Sequence, residues 1–217
     1  MDSARSENPG HIVLLGDSIF DNAAYVGGAP DVVRQLRAAL PDGWQTTLLA
    51  VDGATTDGVA RQLERLRDDE TLLVVSAGGN DALGDAWLLR EGARSVGEGV
   101  MRLAEAQSQF AARYSAMVEA VLAAGVPAAL CTIYDANFPA PEGPIIKAAL
   151  SLFNDVITRA AFARGLPLID LRLICSEPAD YANPIEPSER GGAKIAAAIA
   201  ALATDPQARG RSVVVAS

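Results

Sequence analysis

The residues best suited to chemistry in this sequence follow apolar runs. Ser18 comes shortly after the run HIVLLG, Gly53 follows TTLLAV, and Asn80 follows TLLVVS. A serine hydroxyl can attack a carbonyl carbon, and N–H groups can bind the oxyanion that forms. The pattern therefore predicts Ser18 as a nucleophile, with its own N–H, the unobstructed N–H of Gly53 and the side-chain amide of Asn80 as oxyanion donors. Each position also has a purely structural interpretation: a helix cap for Ser18, a tight turn for Gly53 and an Asx turn for Asn80.

A serine nucleophile needs a group that accepts its proton, and the chain has a single histidine, His11. His11 begins the apolar run that Ser18 follows. Because seven extended residues span about 20 Å, we predict the two side chains at opposite ends of one strand. His11 is therefore expected to be an exposed residue at the strand entrance that takes no part in a site at Ser18.

The segment NPIEPS, residues 183–188, follows the fifth predicted strand and contains Glu186, which the family resemblance given below implies as the base. A glutamate becomes neutral when it accepts a proton, so a neighbouring amide suits it better than a second carboxylate. Asn183 is expected to orient Glu186 by donating a hydrogen bond to its carboxylate. A free glutamate has a pKa of about 4.3, so burial in this segment would have to raise it. The alternative is that Glu186 and Ser188 only support the start of the last helix.

Buried strands alternate with amphipathic helices along the chain, which predicts an α/β fold with a doubly wound sheet. Strands are predicted at 11–16, 46–51, 71–76, 128–134 and 166–171, and helices at 31–40, 55–67, 97–124, 144–164 and 187–203. The strands are continuous apolar runs, which is typical of a parallel sheet covered on both faces. In such a sheet ligands bind beyond the carboxyl ends of the strands, where Ser18 and the other candidate residues fall.

Composition narrows the range of partners. The 217 residues carry a formal net charge of −9, and neither a signal peptide nor a transmembrane run is visible. We expect one domain over 1–217, with loosely held tails at about 1–9 and 205–217, in a cytoplasmic protein that binds neither nucleic acid nor a membrane. The two cysteines lack the spacing of a metal site, and no G-x-G-x-x-G follows a strand, so neither a metal nor a cofactor is expected.

Three segments in order resemble a known family. GDSI at 16–19 resembles the GDSL block of the SGNH hydrolases, Gly53 fits the second block, and GGND at 78–81 matches the GxND block. The resemblance implies a flavodoxin-like, three-layer α/β/α fold with a five-stranded parallel sheet. It also implies hydrolysis of, or acyl transfer from, a small ester, with Ser18 as nucleophile and Gly53 and Asn80 in the oxyanion hole.

The last block departs from the family pattern, which is Asp-x-x-His just before the final helix. Asn183 stands in place of the aspartate and Glu186 in place of the histidine. Two functions follow. One is a serine hydrolase or acyltransferase in which Glu186 is the base. The other is a weakly active or inactive pseudoenzyme that binds an acyl or carbohydrate ligand in the same cleft.

Two further segments are candidates for the walls of that cleft. The apolar residues 87–89 follow the GGND loop and are expected to form either an acyl pocket or lid, or ordinary helix packing. Phe20, Asn22 and Tyr25 follow Ser18 directly and are expected either to line the cleft or to form a surface turn.

Overall fold

The computed structural model describes residues 9–204. Five parallel strands form one sheet in the order β2-β1-β3-β4-β5. They are β1 (His11–Gly16), β2 (Gln45–Leu48), β3 (Leu72–Ser76), β4 (Ala128–Cys131) and β5 (Leu168–Ile169). The predicted five-stranded parallel sheet is thus confirmed. The tails that we predicted to be loosely held lie, except for Pro9, outside the described residues.

Helices cover both faces of this sheet. They are α1 (Val32–Ala39), α2 (Thr56–Leu63), α3 (Gly79–Gly84), α4 (Val96–Ala123), α5 (Glu142–Ala163), α6 (Leu171–Ile174) and α7 (Glu189–Thr204), with short 3-10 helices at Ala86–Arg90 and Pro178–Asp180. α1, α6 and α7 pack on one face, whereas α2, α4 and α5 pack on the other. This arrangement confirms the three-layer α/β/α architecture. None of the helices within residues 9–204 is long and apolar enough to cross a bilayer.

The inner strand β1, which pairs with β2 and β3, shows why the strands have continuous apolar sequences. Ile12 and Leu14 pack into the core beneath α1 and α7, whereas Val13 and Leu15 pack against α2, α4 and α5. All four side chains are fully buried. Burying each such side chain contributes about 1.5–3 kcal/mol, so both faces of β1 hold the layers together.

Three strands end earlier than the sequence predicted, after β4 and β5 because side chains bond the backbone and after β2 because two backbone N–H groups share one carbonyl. After β4, the Asn154 amide on α5 accepts a hydrogen bond from Ile133 N–H and donates one to Ile133 O, both at 2.8 Å. After β5, Asp170 caps α6 by accepting a hydrogen bond from Arg172 N–H at 3.2 Å. After β2, the N–H groups of Leu49 and Ala50 both donate to Leu14 O, so the regular ladder stops there.

A short antiparallel hairpin precedes the last helix and was not predicted. It consists of β6 (Tyr181–Asn183) and β7 (Glu186–Pro187). The predicted helix start at Pro187 was therefore wrong, because α7 begins at Glu189. The backbone O of Asp180 accepts a hydrogen bond from Ser188 N–H at 2.9 Å, which joins the hairpin to the start of α7.

His11 is buried, so the prediction that it is exposed was wrong. Its Nε2 lies 2.8 Å from Thr47 Oγ1, and its Nδ1 lies 3.2 Å from Asp69 Oδ1. The Thr47 hydroxyl satisfies Nε2, whereas Nδ1 lies beside the Asp69 carboxylate but has no hydrogen-bond partner among the described residues. His11 is the first residue of β1, whereas Ser18 follows the last, so His11 is not the base for Ser18.

Candidate active site

A sharp turn after β1 places Ser18 at the carboxyl edge of the sheet. Gly16 has a φ of +122°, and a Cβ built on it would lie 1.7 Å from Ser76 O, so only glycine fits. Asp17 N–H then donates to the same Ser76 O at 3.1 Å. The Asp17 carboxylate accepts a hydrogen bond from Ile19 N–H at 3.1 Å, which closes the turn around Ser18. Asp17 therefore braces the turn that carries Ser18.

The Ser18 hydroxyl meets the predicted base directly. Ser18 Oγ donates a hydrogen bond to Glu186 Oε1 at 3.1 Å, across 168 positions of sequence. The Glu186 side chain is nearly inaccessible, with 5% of its residue surface exposed. Burial raises the pKa of Glu186 to about 7, against the opposing effect of the Ser18 hydrogen bond and with a smaller contribution from the negative charge of Asp52. Its Oε2 is buried and has no hydrogen-bond partner among the described residues.

Asn183 acts on the backbone of the hairpin rather than on the Glu186 carboxylate. Its Oδ1 accepts hydrogen bonds from the N–H groups of Ile185 at 2.9 Å and Glu186 at 3.0 Å. The expectation that Asn183 orients the carboxylate by donating a hydrogen bond is therefore corrected. Asn183 therefore fixes the turn between β6 and β7, and through that turn it positions Glu186. An Asn side chain readily accepts hydrogen bonds from the backbone N–H groups that follow it.

Two further side chains anchor this hairpin, and sequence reasoning missed both roles. Tyr134 Oη donates to Ile185 O at 2.6 Å. Asn22 is fully buried. Its Nδ2 donates a hydrogen bond to Pro187 O at 3.3 Å, and its Oδ1 accepts one from Val32 N–H at 3.0 Å. Asn22 thus connects the loop after Ser18 to the strand that carries Glu186.

The other two residues proposed to line the cleft beside Asn22 lie elsewhere. Phe20 is fully buried in the core beneath α1 and α7. Tyr25 Oη donates to Asp52 Oδ2 at 2.7 Å, and this hydrogen bond raises the pKa of Tyr25 to about 12. None of the three is part of the cavity wall described below.

Asn80 and Asp81 connect the start of α3 to the loop after β2. Asn80 Nδ2 donates to Ala54 O at 2.9 Å, which uses one of its two N–H groups. Asp81 accepts hydrogen bonds from the N–H and the hydroxyl of Thr56, both at 2.9 Å. Gly53, next to Ala54, is exposed, has a φ of +78° and leaves open space where a Cβ would stand.

A cavity of about 380 Å³ opens beside Ser18 and Glu186. Asn80 contributes to its wall, whereas Gly53 does not. Most of the wall is apolar: Leu83, Leu88, Leu89, Leu103, Ile133, Phe138, Ile145, Ile146, Leu150 and Phe153. Of the predicted segment 87–89, Leu88 and Leu89 line the cavity, whereas Trp87 is absent from its wall and is 56% exposed.

A second carboxyl group lies in the same wall. Burial raises the pKa of Asp17 to about 7, and the negative charges of Glu186 and Asp81 add to this effect. Two neighbouring buried carboxyls disfavour double ionisation, so each raises the cost of charging the other. Within residues 9–204, no group of three His, Cys, Asp or Glu side chains is placed to hold a metal ion.

Comparison with known families now identifies the chain. The model of the GDSL-like lipase/acylhydrolase family matches residues 14–205. The protein belongs to this family. The GDSL-like lipases and acylhydrolases hydrolyse esters, and the match includes both Ser18 and Glu186. A comparison with curated protein sequences finds no match.

Solved structures of GDSL-like hydrolases share the fold. The extracellular lipase of Streptomyces rimosus superposes with a TM-score of 0.66 at 19% identity, covering 90% of this chain and 100% of that one. Phospholipase A1 of Streptomyces albidoflavus gives a TM-score of 0.61 at 20% identity, covering 86% and 95%. The aryl esterase of M. smegmatis gives 0.64 at 15% identity, covering 89% and 98%. At these identities the likeness concerns the fold alone.

Proposed function

We propose that this protein is a serine ester hydrolase or acyltransferase in which Glu186 replaces the histidine base of its family. The observation that carries the proposal is the hydrogen bond of 3.1 Å from Ser18 Oγ to Glu186 Oε1. A nucleophile and its base must lie within such a distance for the proton to transfer as the nucleophile attacks. The pair stands at the wall of an apolar cavity that can hold an acyl group.

The proposed reaction needs only Ser18, Glu186 and either water or an acceptor alcohol. Ser18 Oγ forms a bond to the acyl carbon while its proton passes to Glu186 Oε1. The bond to the leaving oxygen then breaks, and Glu186 returns the proton to the alcohol that departs. Water, or an acceptor alcohol in acyl transfer, then attacks the carbonyl carbon of the acyl-serine while Glu186 again takes the proton. The bond from that carbon to Ser18 Oγ breaks, and Glu186 returns the proton to Ser18 Oγ. Glu186 is neutral at each protonated stage, so this site has no imidazolium for a second carboxylate to stabilise.

The raised pKa of Glu186 suits this role. A carboxylate with an ordinary pKa accepts a proton too weakly to assist attack near neutral pH. Burial brings the pKa of Glu186 to about 7, where the group is both a stronger base and still substantially ionised. Burial therefore brings the pKa of Glu186 close to the value of about 6.5 that a histidine base has without any shift.

The oxyanion is expected to bind to the N–H of Ser18 and to the second N–H of Asn80. Asn80 is held in place because its first N–H donates to Ala54 O. Gly53 stays a predicted third donor, and it is linked to the site through the same Ala54 loop. Removing one oxyanion donor typically costs about 10²–10³ in kcat.

The cavity favours an ester with an apolar acyl group. Most of the side chains in its wall are apolar, so a hydrocarbon acyl chain would bury against them on binding. The charged residues in the wall are four acids and one base, namely Asp17, Asp85, Glu142 and Glu186 with Arg90. An anionic acyl group would meet repulsion there, so the acyl part is proposed to be uncharged.

A fluorophosphonate labelling experiment tests the proposal. We expect one covalent adduct by intact mass, absent in Ser18→Ala, with a labelling rate that rises as pH increases through about 7. Glu186→Gln should slow labelling by about 10²–10⁴-fold, since it removes the base. Glu189→Gln, on the exposed start of α7, is the matched control and should label normally. No adduct between pH 6 and 10 would instead support a ligand-binding pseudoenzyme.

A further inference from the structure

Five exposed apolar side chains lie on the segments that line the cavity or directly continue them. They are Leu83, Trp87, Val96, Val100 and Ile145, each between 47% and 86% exposed. We call this set the mouth rim. Single exposed apolar residues are ordinary, but a contiguous set beside a cavity is typical of an interaction surface.

The mouth rim continues the cavity wall outward. Leu83 and Ile145 belong to both, since they line the cavity and are about half exposed. Trp87 lies between Ala86 and Leu88, which also line the cavity. A ligand that leaves the cavity therefore passes the apolar mouth rim before it reaches water.

One face of helix α4 extends the mouth rim. Val96 and Val100 precede the cavity-lining Leu103 by seven and three residues, so all three share one face of α4. Phe110, seven residues further on, continues the same face into the core. Met101 is also exposed, but it lies on the opposite side of the helix. The apolar face of α4 thus runs from the core, past the cavity, to the protein surface.

Charges are balanced on the segment 85–102, which carries Trp87, Val96 and Val100 of the mouth rim. Residues 85–102 contain three acids and three arginines, whereas the chain has a net charge of −9. Arg102 pairs with Glu91 at 2.8 Å and with Glu98 at 2.9 Å, and Arg94 pairs with Glu98 at 3.2 Å. An apolar rim on a segment with no net charge matches a surface that is itself uncharged or zwitterionic.

From these observations we infer that the mouth rim docks on the surface of zwitterionic or uncharged lipid aggregates and admits single ester molecules to the cavity. The inference rests on the proposed function, because it names the physical form in which the ester arrives. Trp87 suits such a boundary, since an indole ring has an apolar body and a polar N–H. A second copy of the chain on the rim would close the cavity to its substrate.

This inference revises the expectation that the protein binds no membrane. That expectation came from the net charge and from the lack of a transmembrane run. The net charge argues against electrostatic attraction to anionic membranes, and the lack of such a run argues against a membrane-spanning helix. A net charge of −9 disfavours anionic bilayers. It leaves adsorption of a neutral apolar rim to a zwitterionic surface unaffected.

Tryptophan fluorescence with phosphatidylcholine vesicles tests the inference. The chain has two tryptophans, so Trp44→Phe leaves Trp87 as the sole reporter. In a Ser18→Ala background no turnover occurs, and vesicle addition should shift the Trp87 emission to the blue in a saturable way. Val96→Ser/Val100→Ser should weaken vesicle binding at least tenfold, because both methyl-rich side chains lose their apolar contact. Met101→Ser is the matched control on the same helix and should bind as before.

Three results would overturn the inference. The first is an unchanged Trp87 spectrum with phosphatidylcholine vesicles, and the second is equal weakening by Met101→Ser. The third is a concentration-dependent dimer in sedimentation that Val96→Ser/Val100→Ser dissociates, which would assign the rim to a second copy. Added phosphatidylglycerol should weaken binding at low salt. Because vesicle binding is measured without turnover, a failed labelling experiment would refute the proposed chemistry and leave this result intact.

Discussion

At the scale of single residues, the site differs from a Ser-His-Asp triad in where charge resides. An imidazole base becomes positive when it takes a proton, and a buried acid stabilises it. Glu186 is negative before it takes the proton from Ser18 and neutral afterwards, so the costly state is the resting one. That cost is visible as the raised pKa of Glu186, caused by burial. The same burial that makes Glu186 a useful base makes its ionised form destabilising.

This cost predicts how stability depends on pH. The pKa of Glu186 rises from an ordinary 4.5 to about 7 on folding, so the folded state holds the proton more tightly than the unfolded chain. Stability from this group is therefore fully present below about pH 4.5 and is lost as pH rises through about 7. The loss is on the order of 3 kcal/mol, at about 1.4 kcal/mol per pKa unit. Glu186→Gln should not show that part of the decline.

Denaturant unfolding of wild type and Glu186→Gln at pH 5 and pH 8 measures this difference. Asp17 contributes a decline of the same sign in both proteins, since burial also raises its pKa to about 7. The comparison between the two proteins isolates the share that depends on Glu186. Equal declines in both proteins would show that the Glu186 carboxyl is not strained by burial.

Asp52 offers a second test at this scale, because its negative charge raises the pKa of Glu186. Tyr25 Oη holds the Asp52 carboxylate at 2.7 Å, and Asp21 accepts the Asp52 N–H at 3.0 Å. Asp52→Asn should lower the pKa of Glu186 and move the rising limb of kcat/KM to lower pH, by an amount that shrinks with salt. Asp57→Asn, on the exposed surface of α2, should leave the profile in place. A profile unmoved by Asp52→Asn would contradict the coupling.

At the scale of elements, the β6–β7 hairpin sets the position of Glu186, the proposed base. Glu186 belongs to a two-residue strand, and its position depends on bonds to Asn183, Tyr134 and Asn22 rather than on a long ladder. Asp180 is fully buried and pairs with Lys194 Nζ at 2.7 Å, which joins the hairpin to α7. A base on so short an element is held by side chains, and these are the places where substitutions should affect activity.

Substitutions at Asn183 separate its observed role from the predicted one. Asn183→Ala removes the acceptor for the N–H groups of Ile185 and Glu186, so stability should fall by about 1–3 kcal/mol and kcat should fall with it. Asn183→Asp keeps an acceptor and loses the amide donor. It should retain most of the kcat at a higher pH, because a nearby negative charge raises the pKa of Glu186.

Kinetic pH profiles of both variants provide the measurement. If Asn183→Asp is as damaged as Asn183→Ala at every pH, donation by the amide would be the essential function, as the sequence suggested. If only Asn183→Ala loses kcat, the acceptor role seen in the structure is the one that matters.

Sequence patterns predicted some of these elements and not others for physical reasons. β1 and β3 carry continuous apolar runs because both of their faces are buried, so period and length identified them. The hairpin has no such signal, since β7 is two residues long and its bonds come from Tyr134 and Asn22 far along the chain. The pairing of Ser18 with Glu186 was predicted through the family pattern, because no local rule connects residues 168 positions apart.

At the scale of the whole molecule, the cavity beside Ser18 lies on the α4–α5 side of the sheet. The sequence suggested apolar residues near Leu88 and Leu89, but it gave no signal for the contribution of α5, whose Ile146, Ala149 and Leu150 complete the wall. An amphipathic helix shows which face is apolar, but not whether that face meets a core or a cavity. The extent of the cavity depends on how α4 and α5 pack together.

Cavity size should set the preference for acyl chain length, and α5 offers a matched pair to test it. Each methylene buried in the cavity is worth about 0.8 kcal/mol, so kcat/KM should rise about fourfold per methylene until the cavity is full. Ala149→Trp fills the cavity from its wall and should shift the preferred chain to shorter lengths. Ala148→Trp, at the neighbouring exposed position outside the wall, should leave the preference unchanged. Rates across a series of linear p-nitrophenyl esters give the comparison, and a flat series in wild type would show that the acyl chain lies elsewhere.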